Sequence, residues 1–320
     1  MKMIKAIAFS CMVLLTLTAS KCFVVSSFDS SDDDDDEGLI IVVTNAETAN
    51  SEVVQSLNQT FAVAEIASQS AQYVNDIYLS DPLSISCNNA EGVIKLMVND
   101  EDYSNRISIG DDLFLSYTNC NVKDVIANGE LEITVLDAQG IDIGHFDSGT
   151  DWSCDLNVKA TSFQVSANNN TFSVNGDLEI ALQFNATSAI LNSKIVNNAL
   201  ALESEFQRVL SEMEISQFIN LAVVPSSYSL GIDSLDLSSN ALNGKVSVVT
   251  NLEPLSGMEW LRPSEYFVEL QAPETGTLYI TGKNSNAEVL ISSGEQVSIN
   301  IDADGDAISE AEIYSTWPKF

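Results

Sequence analysis

The chain has 320 residues, 45% of them hydrophobic, with 46 acidic side chains against 13 basic ones and a formal net charge of −33. That apolar content supports a sizeable core and excludes global disorder. The charge excludes nucleic acid and anionic membrane faces as partners, and it suits solubility, cation binding or a cationic partner.

Lys2 and Lys5 precede an apolar run from Ala6 to Leu17, which gives way to the small residues Thr18, Ala19 and Ser20. A basic start, a short apolar stretch and small residues at a cleavage point read residues 1–20 as a secretory signal. The run is too short to span a bilayer, which takes about 20 residues. Loss of Lys2 and Lys5 with the signal takes the charge from −33 to −35. The mature protein is then expected in the periplasm, associated with the outer membrane, or secreted, in an oxidising and calcium-containing medium. Cys22 has a second reading as a lipid anchor, although Lys21 stands where a lipoprotein signal has a small residue.

Residues 21–43 read as an acidic linker, because Asp29, Asp32 to Asp36 and Glu37 repel one another and cannot collapse. Residues 44–80 read as a helix. Leu57, Phe61, Ala64, Ala67, Ala71, Val74 and Tyr78 recur at steps of three and four and give one apolar face. Thr44 and Glu47 stand at capping-box spacing, and Asp81-Pro82 is a stop.

From residue 81 to 320 the pattern changes to period two, which predicts an antiparallel β domain: a large meander forming a curved sheet or sandwich, with the helix at its N-terminal end. A glycine followed by apolar residues at +2 and +4 recurs at Gly92, Gly129, Gly176, Gly244 and Gly276, at intervals too irregular for a solenoid. Three of these glycines follow asparagine, at Asn128, Asn175 and Asn243, and Asn-Gly predicts tight hairpin turns there. Residues 187–224 carry both helical and extended signals and are assigned to strand from their surroundings.

If Cys11 leaves with the signal, Cys22, Cys87, Cys120 and Cys154 remain, and four cysteines allow three full pairings. Cys87 with Cys120 is preferred, since the two bracket one hairpin-like unit. The partner of Cys154 stays open.

Two stretches carry metal-site chemistry. In the run from Asp100 to Asp111, oxygen side chains fall at positions 1, 3, 5, 9 and 12 of a calcium loop, which predicts Asp100, Asp102, Ser104 and Asp111 as ligands. Asn105 takes the place of the usual glycine, and the flanks read as strands rather than helices. In the second, Asp302-Ala303-Asp304-Gly305-Asp306 is followed by Glu310 and Glu312. Asp302, Asp304, Asp306 and Glu312 are the predicted ligands, because mutually repelling carboxylates call for a hard cation or full solvation.

The segments Cys87…Gly110-Asp111…Cys120, Asn243-Gly244-Lys245-Val246, Pro273 to Gly282, Asp302 to Asp306 and Trp317 together resemble uncharacterised exported β-rich bacterial envelope proteins and lipoproteins. The resemblance covers roughly residues 85–320. It implies an envelope location and a Cys87–Cys120 pair, and it implies no activity.

Signals for catalysis are poor. His145 is the one histidine, without a nucleophile motif beside it, and phosphate and dinucleotide loops are lacking. Trp152, Trp260 and Trp317 are candidates for stacking on sugars, with core burial the commoner fate of tryptophan. Asn58, Asn169 and Asn185 head Asn-x-Thr sequons. The sequence therefore predicts a non-enzymatic exported structural or binding protein with calcium in its acidic loops. A lipid- or lipoprotein-handling carrier with an apolar groove is the alternative, and a carbohydrate-active enzyme with paired carboxylates is third. Whether a binding partner is protein, lipid or glycan is not legible.

Overall fold

The computed structural model describes residues 38–76, 83–87, 92–104, 106–122, 125–140, 142–167, 170–250, 253–259, 261, 265–268, 270, 273–292 and 295–318. The predicted signal, Cys22, Tyr78, the Asp81-Pro82 stop, Asn105, Asn169 and Trp260 lie outside them.

A helix, α1 (Ala46–Asp76), precedes fifteen strands: β1 (Leu83–Ser86), β2 (Val93–Asn99), β3 (Asp112–Val122), β4 (Val125–Gln139), β5 (Trp152–Ala167), β6 (Asn170–Asn185), β7 (Ile190–Glu203), β8 (Gln207–Asn220), β9 (Ser226–Ser239), β10 (Gly244–Val249), β11 (Leu255–Glu259), β12 (Thr275–Gly282), β13 (Ser285–Ser292), β14 (Gln296–Asp302) and β15 (Ala311–Thr316). All fifteen form one antiparallel sheet, each strand beside the next in sequence except β11, which pairs with β9 and β12. The fold is thus mainly β with one N-terminal helix, and the ambiguous stretch 187–224 supplies β7 and β8. Alternating strand directions sort the connections. The β2–β3, β4–β5, β6–β7 and β8–β9 loops share one end of the sheet, called upper here. The β9–β10, β12–β13 and β14–β15 loops share the lower end.

One face of the long central strands is apolar and buried. Leu156, Ile180, Ile195, Ile215 and Ile232 stand opposite one another across β5 to β9 and are all buried. This face curls around α1. The helix enters at the lower end, where the Ile41 N–H donates to Ser285 Oγ, and finishes at the upper end, where Gln72 meets Tyr266 beside Gly144. Its 31 residues rise about 46 Å, and strands of 14–16 residues run about 46–54 Å, so helix and strands match in length.

Periodicity identifies one apolar helix face, but the helix is covered more widely. Besides Leu57, Phe61, Ala64, Ala67, Ala71 and Val74, the structure buries Val63 and Ile66, and the polar Glu52, Ser56, Gln59 and Thr60 as well. The remaining side faces a strap, residues 265–268 with Leu270. Asn58, Glu65 and Gln72 fall seven residues apart and line up along the helix. Asn58 Oδ1 accepts from the Leu270 N–H (2.7 Å), and Glu65 Oε2 from the N–H groups of Tyr266 (2.8 Å) and Phe267 (3.1 Å). Gln72 Oε1 accepts from the Tyr266 hydroxyl, Phe267 stacks on Phe61, and the Trp317 indole N–H bonds the Leu270 carbonyl. The helix faces the strap through polar side chains that bond its backbone and hydroxyl groups, which is why its apolar stripe is diluted.

The linker reading fails for residues 38–43. The Leu39 N–H bonds the Lys245 carbonyl, Lys283 N–H bonds the Leu39 carbonyl, and Ile41 is fully buried. Leu39 and Ile41, in the apolar run after the acidic block, are what pack, while Ile40 and Val43 are exposed.

The Asn-Gly pairs divide. Asn243-Gly244 does close the β9–β10 turn, with Asn243 at φ +53°. Asn128-Gly129 and Asn175-Gly176 lie inside β4 and β6. There the glycines face β-bulges on the neighbouring strands. Asn119 and Ser162 adopt left-handed φ of +46° and +48°, and their N–H groups donate to the carboxamides of Asn128 and Asn175, each at 2.7 Å. Register shifts at one level run from β3 through β7 and recur between β8 and β9, and bulges of this kind bend and coil a sheet. Gly129 and Gly176 are required because a Cβ would lie 2.6 Å from the Ser162 carbonyl oxygen and 2.5 Å from that of Ala199. Gly176→Ala is expected to cost about 2–3 kcal/mol, from backbone strain at positive φ plus this clash. Chemical denaturation of the two proteins checks it, and a difference below about 0.5 kcal/mol, the range of an ordinary surface change, would remove the bulge line as a structural requirement.

Candidate metal centres

Among the described residues, two groups of carboxylates converge, at opposite ends of the sheet. At the upper end, Asp100, Asp102 and Asp111 each offer an oxygen within 4.8 Å of the others. Asp111 is buried and anchors the loop: its carboxylate accepts from the N–H groups of Glu101 (3.0 Å) and Ser108 (2.8 Å) and from Ser108 Oγ (3.1 Å). The Ser104 N–H donates to Asp100 and Asp102 together. Hydrogen bonds from Ser104 hold the Asp102 carboxyl below its ordinary pKa. Of the four residues predicted here, three aspartates come together. Ser104 contributes its N–H, and its hydroxyl is bonded to the backbone of Arg106.

At the lower end, Asp302, Asp304, Asp306 and Glu310 likewise offer oxygens within 4.8 Å of one another. Asp302 closes β14, and its two oxygens accept from the N–H groups of Gly305 (2.6 Å) and Ala307 (2.9 Å). Burial pushes this carboxyl up, and the backbone donors outweigh it, so its pKa lies below the ordinary value. Gly305 (φ +78°) and Ala307 (φ +67°) turn the chain in this loop, where the three aspartates converge while Asp304 and Asp306 stay exposed. Here the predicted set changes in one member. Glu312 lies in β15, where its carboxylate accepts from Ser298 Oγ at 2.7 Å, and the fourth converging acid is Glu310. Counted from Asp302, Glu310 falls at position nine of a calcium loop, the signal that identifies it.

An all-oxygen, all-acidic set suits a hard divalent cation. The other predicted positions are structural. Cys87 and Cys120 form a disulfide, while Cys154 is a free buried thiol whose pKa burial pushes up to about 12. The carbonyl of His145 accepts from the Trp152 indole, and Trp152 packs with Phe146, Phe184 and Tyr266 over the upper end of α1. Trp152 and Trp317 are buried, so neither is available to stack on a sugar.

Comparison with family models, curated proteins and solved structures finds no match to this chain.

Proposed function

We propose that this chain is an exported, non-enzymatic binding or structural protein, of the bacterial envelope or secreted, whose acidic loops take calcium. The convergence of carboxylates at two loop tips carries the reading. In a molecule of net charge −33, clustered acids repel one another, and a bound divalent ion relieves that repulsion while cross-linking the loop. Export is supported by the signal-like segment at residues 1–20 and by the Cys87–Cys120 disulfide, a bond that persists in oxidising compartments. Cys22 would serve as the membrane tether if it is lipidated. The carrier alternative loses its main support, because α1 fills the concave face that a lipid would need.

Thermal melting of the chain in chelator and then in rising calcium tests this. Extracellular calcium modules bind at ~0.1–1 mM, so about 10 mM calcium should stabilise by about 1.4–2.7 kcal/mol per site, a rise of roughly 3–10 °C. Asp304→Asn and Asp102→Asn should each abolish one loop's share. A flat titration of the unaltered protein would leave the acids as solubilising surface and end the calcium reading.

A further inference from the structure

The outward face of the sheet carries a groove of about 640 Å³ across β4 to β9, towards the upper end. That volume lies within the range of ligand sites. Its shape follows from register. One outward row reads Asp137, Asp155, Ala181, Lys194, Ser216 and Gly231 on six successive strands. Ala181, Ser216 and Gly231 are small and leave the floor low. A Cβ at Gly231 would meet only Ser216 Oγ, at 3.2 Å. The adjacent outward row, on β5 to β9, reads Ser153, Gln183, Asn192, Phe218 and Ser229.

Phe218 is 45% exposed, an aromatic face set among polar neighbours. Among the described residues, the side chains of Ser153, Gln183, Asn192 and Ser229 make no hydrogen bond within the protein, and so they are free to bond a ligand. Lys194 is bridged to Glu214, and the charge of the whole molecule repels anions. Asp137 and Asp155 stand directly opposite at one end of the groove. Partial burial and the Asp137 charge raise the pKa of Asp155. Carboxylates, amides and hydroxyls beside one exposed aromatic match a ligand with many hydroxyls and an apolar ring face. Six strands at ~4.8 Å spacing give about 24 Å, room for several sugar rings.

We infer that this groove binds a neutral oligosaccharide, with a sugar ring stacked on Phe218 and its hydroxyls bonded by Ser153, Gln183, Asn192 and the carboxylates of Asp137 and Asp155. The inference rests on the reading of the chain as a binding protein and does not depend on its loops taking calcium.

Affinity electrophoresis of the full chain through gels containing β-glucan, xylan, galactomannan or glycogen tests it, in calcium and in chelator. Calorimetry then follows with the hexasaccharide of whichever polymer retards it. At least one polymer should retard the protein under both conditions. Phe218→Ala and Gly231→Val should each weaken binding by about tenfold or more, because an aromatic anchor and the floor beneath it carry a large share of affinity. Both variants should melt as the parent does, and Phe114→Ala, on the outward face of β3, should bind unchanged. If both groove variants bind like the parent, the glycan sits elsewhere: the groove is refuted while the binding-protein reading stands. If no polymer retards the parent, the oligosaccharide inference is overturned, and the calcium titration alone decides the reading beneath it.

Discussion

Glu52→Ala is expected to lower the free energy of unfolding by about 3–5 kcal/mol, the usual consequence of leaving a buried charge without its partner. Arg208 in β8 is 1% exposed, and its Nε and Nη2 donate to the two oxygens of Glu52 in α1, each at 2.9 Å. Ser239 Oγ also donates to Glu52, and Arg208 reaches Ser204 Oγ and Gln55 Oε1. Truncating the acid leaves a guanidinium inside the protein with two neutral acceptors. Replacing both members, as Glu52→Leu with Arg208→Met, should recover most of the loss, since desolvating two charges offsets much of what their attraction returns. Equilibrium urea denaturation of Glu52→Leu, Arg208→Met and the double variant, beside Glu52→Ala, measures the coupling. A loss below about 1 kcal/mol in Glu52→Ala, the range of exposed pairs, would mean that water reaches the pair. The bond also fixes where the helix sits along its axis, because a shift of one turn would carry Glu52 about 5.4 Å from the guanidinium.

Reducing the Cys87–Cys120 bridge is the second large effect. The bridge closes a loop with a sequence separation of 33, for which chain entropy gives about 4 kcal/mol. It matters most for β1, a four-residue edge strand whose one strand partner is β2. The disulfide ties the end of β1 to β3, one strand further in. Cys87→Ser is therefore expected to lower the melting midpoint and to bring the β1 amides to rapid hydrogen exchange. Unchanged protection of β1 together with an unchanged midpoint would show that strand pairing alone holds this edge.

The elements legible in the sequence are those specified by local pattern. Period two marks the strands because most of them bury one face, and residues 187–224, where helix formers such as Leu200 and Leu210 accumulate, form strands as their surroundings predict. Period three-and-four marks α1. What local pattern cannot carry is what lies across the fold. Glu52 and Arg208 are 156 residues apart, and neither is unusual where it stands. Asn128-Gly129 and Asn175-Gly176 look like turns because the same backbone freedom serves a turn and a bulge. Only the neighbouring strands, where Ser162 and Ala199 press their carbonyls towards the glycines, decide between them. In the acidic loops the composition points to stretches where carboxylates converge, and the exchange of Glu312 for Glu310 comes from β15 beginning at Ala311.

The enclosed helix also sets an order of events for the newly made chain. α1 comes first in sequence, yet its lasting contacts come late: Asn58 waits for Leu270, and Ile41 for Ser285. Separations of 212 and 244 residues make these closures late ones, although the sheet itself pairs mostly strands that are neighbours in sequence. The polar groups that α1 carries between its apolar residues, Asn58, Glu65 and Gln72 among them, let it stay hydrated meanwhile. The helix is a core held in reserve, dry only once the last strands close over it.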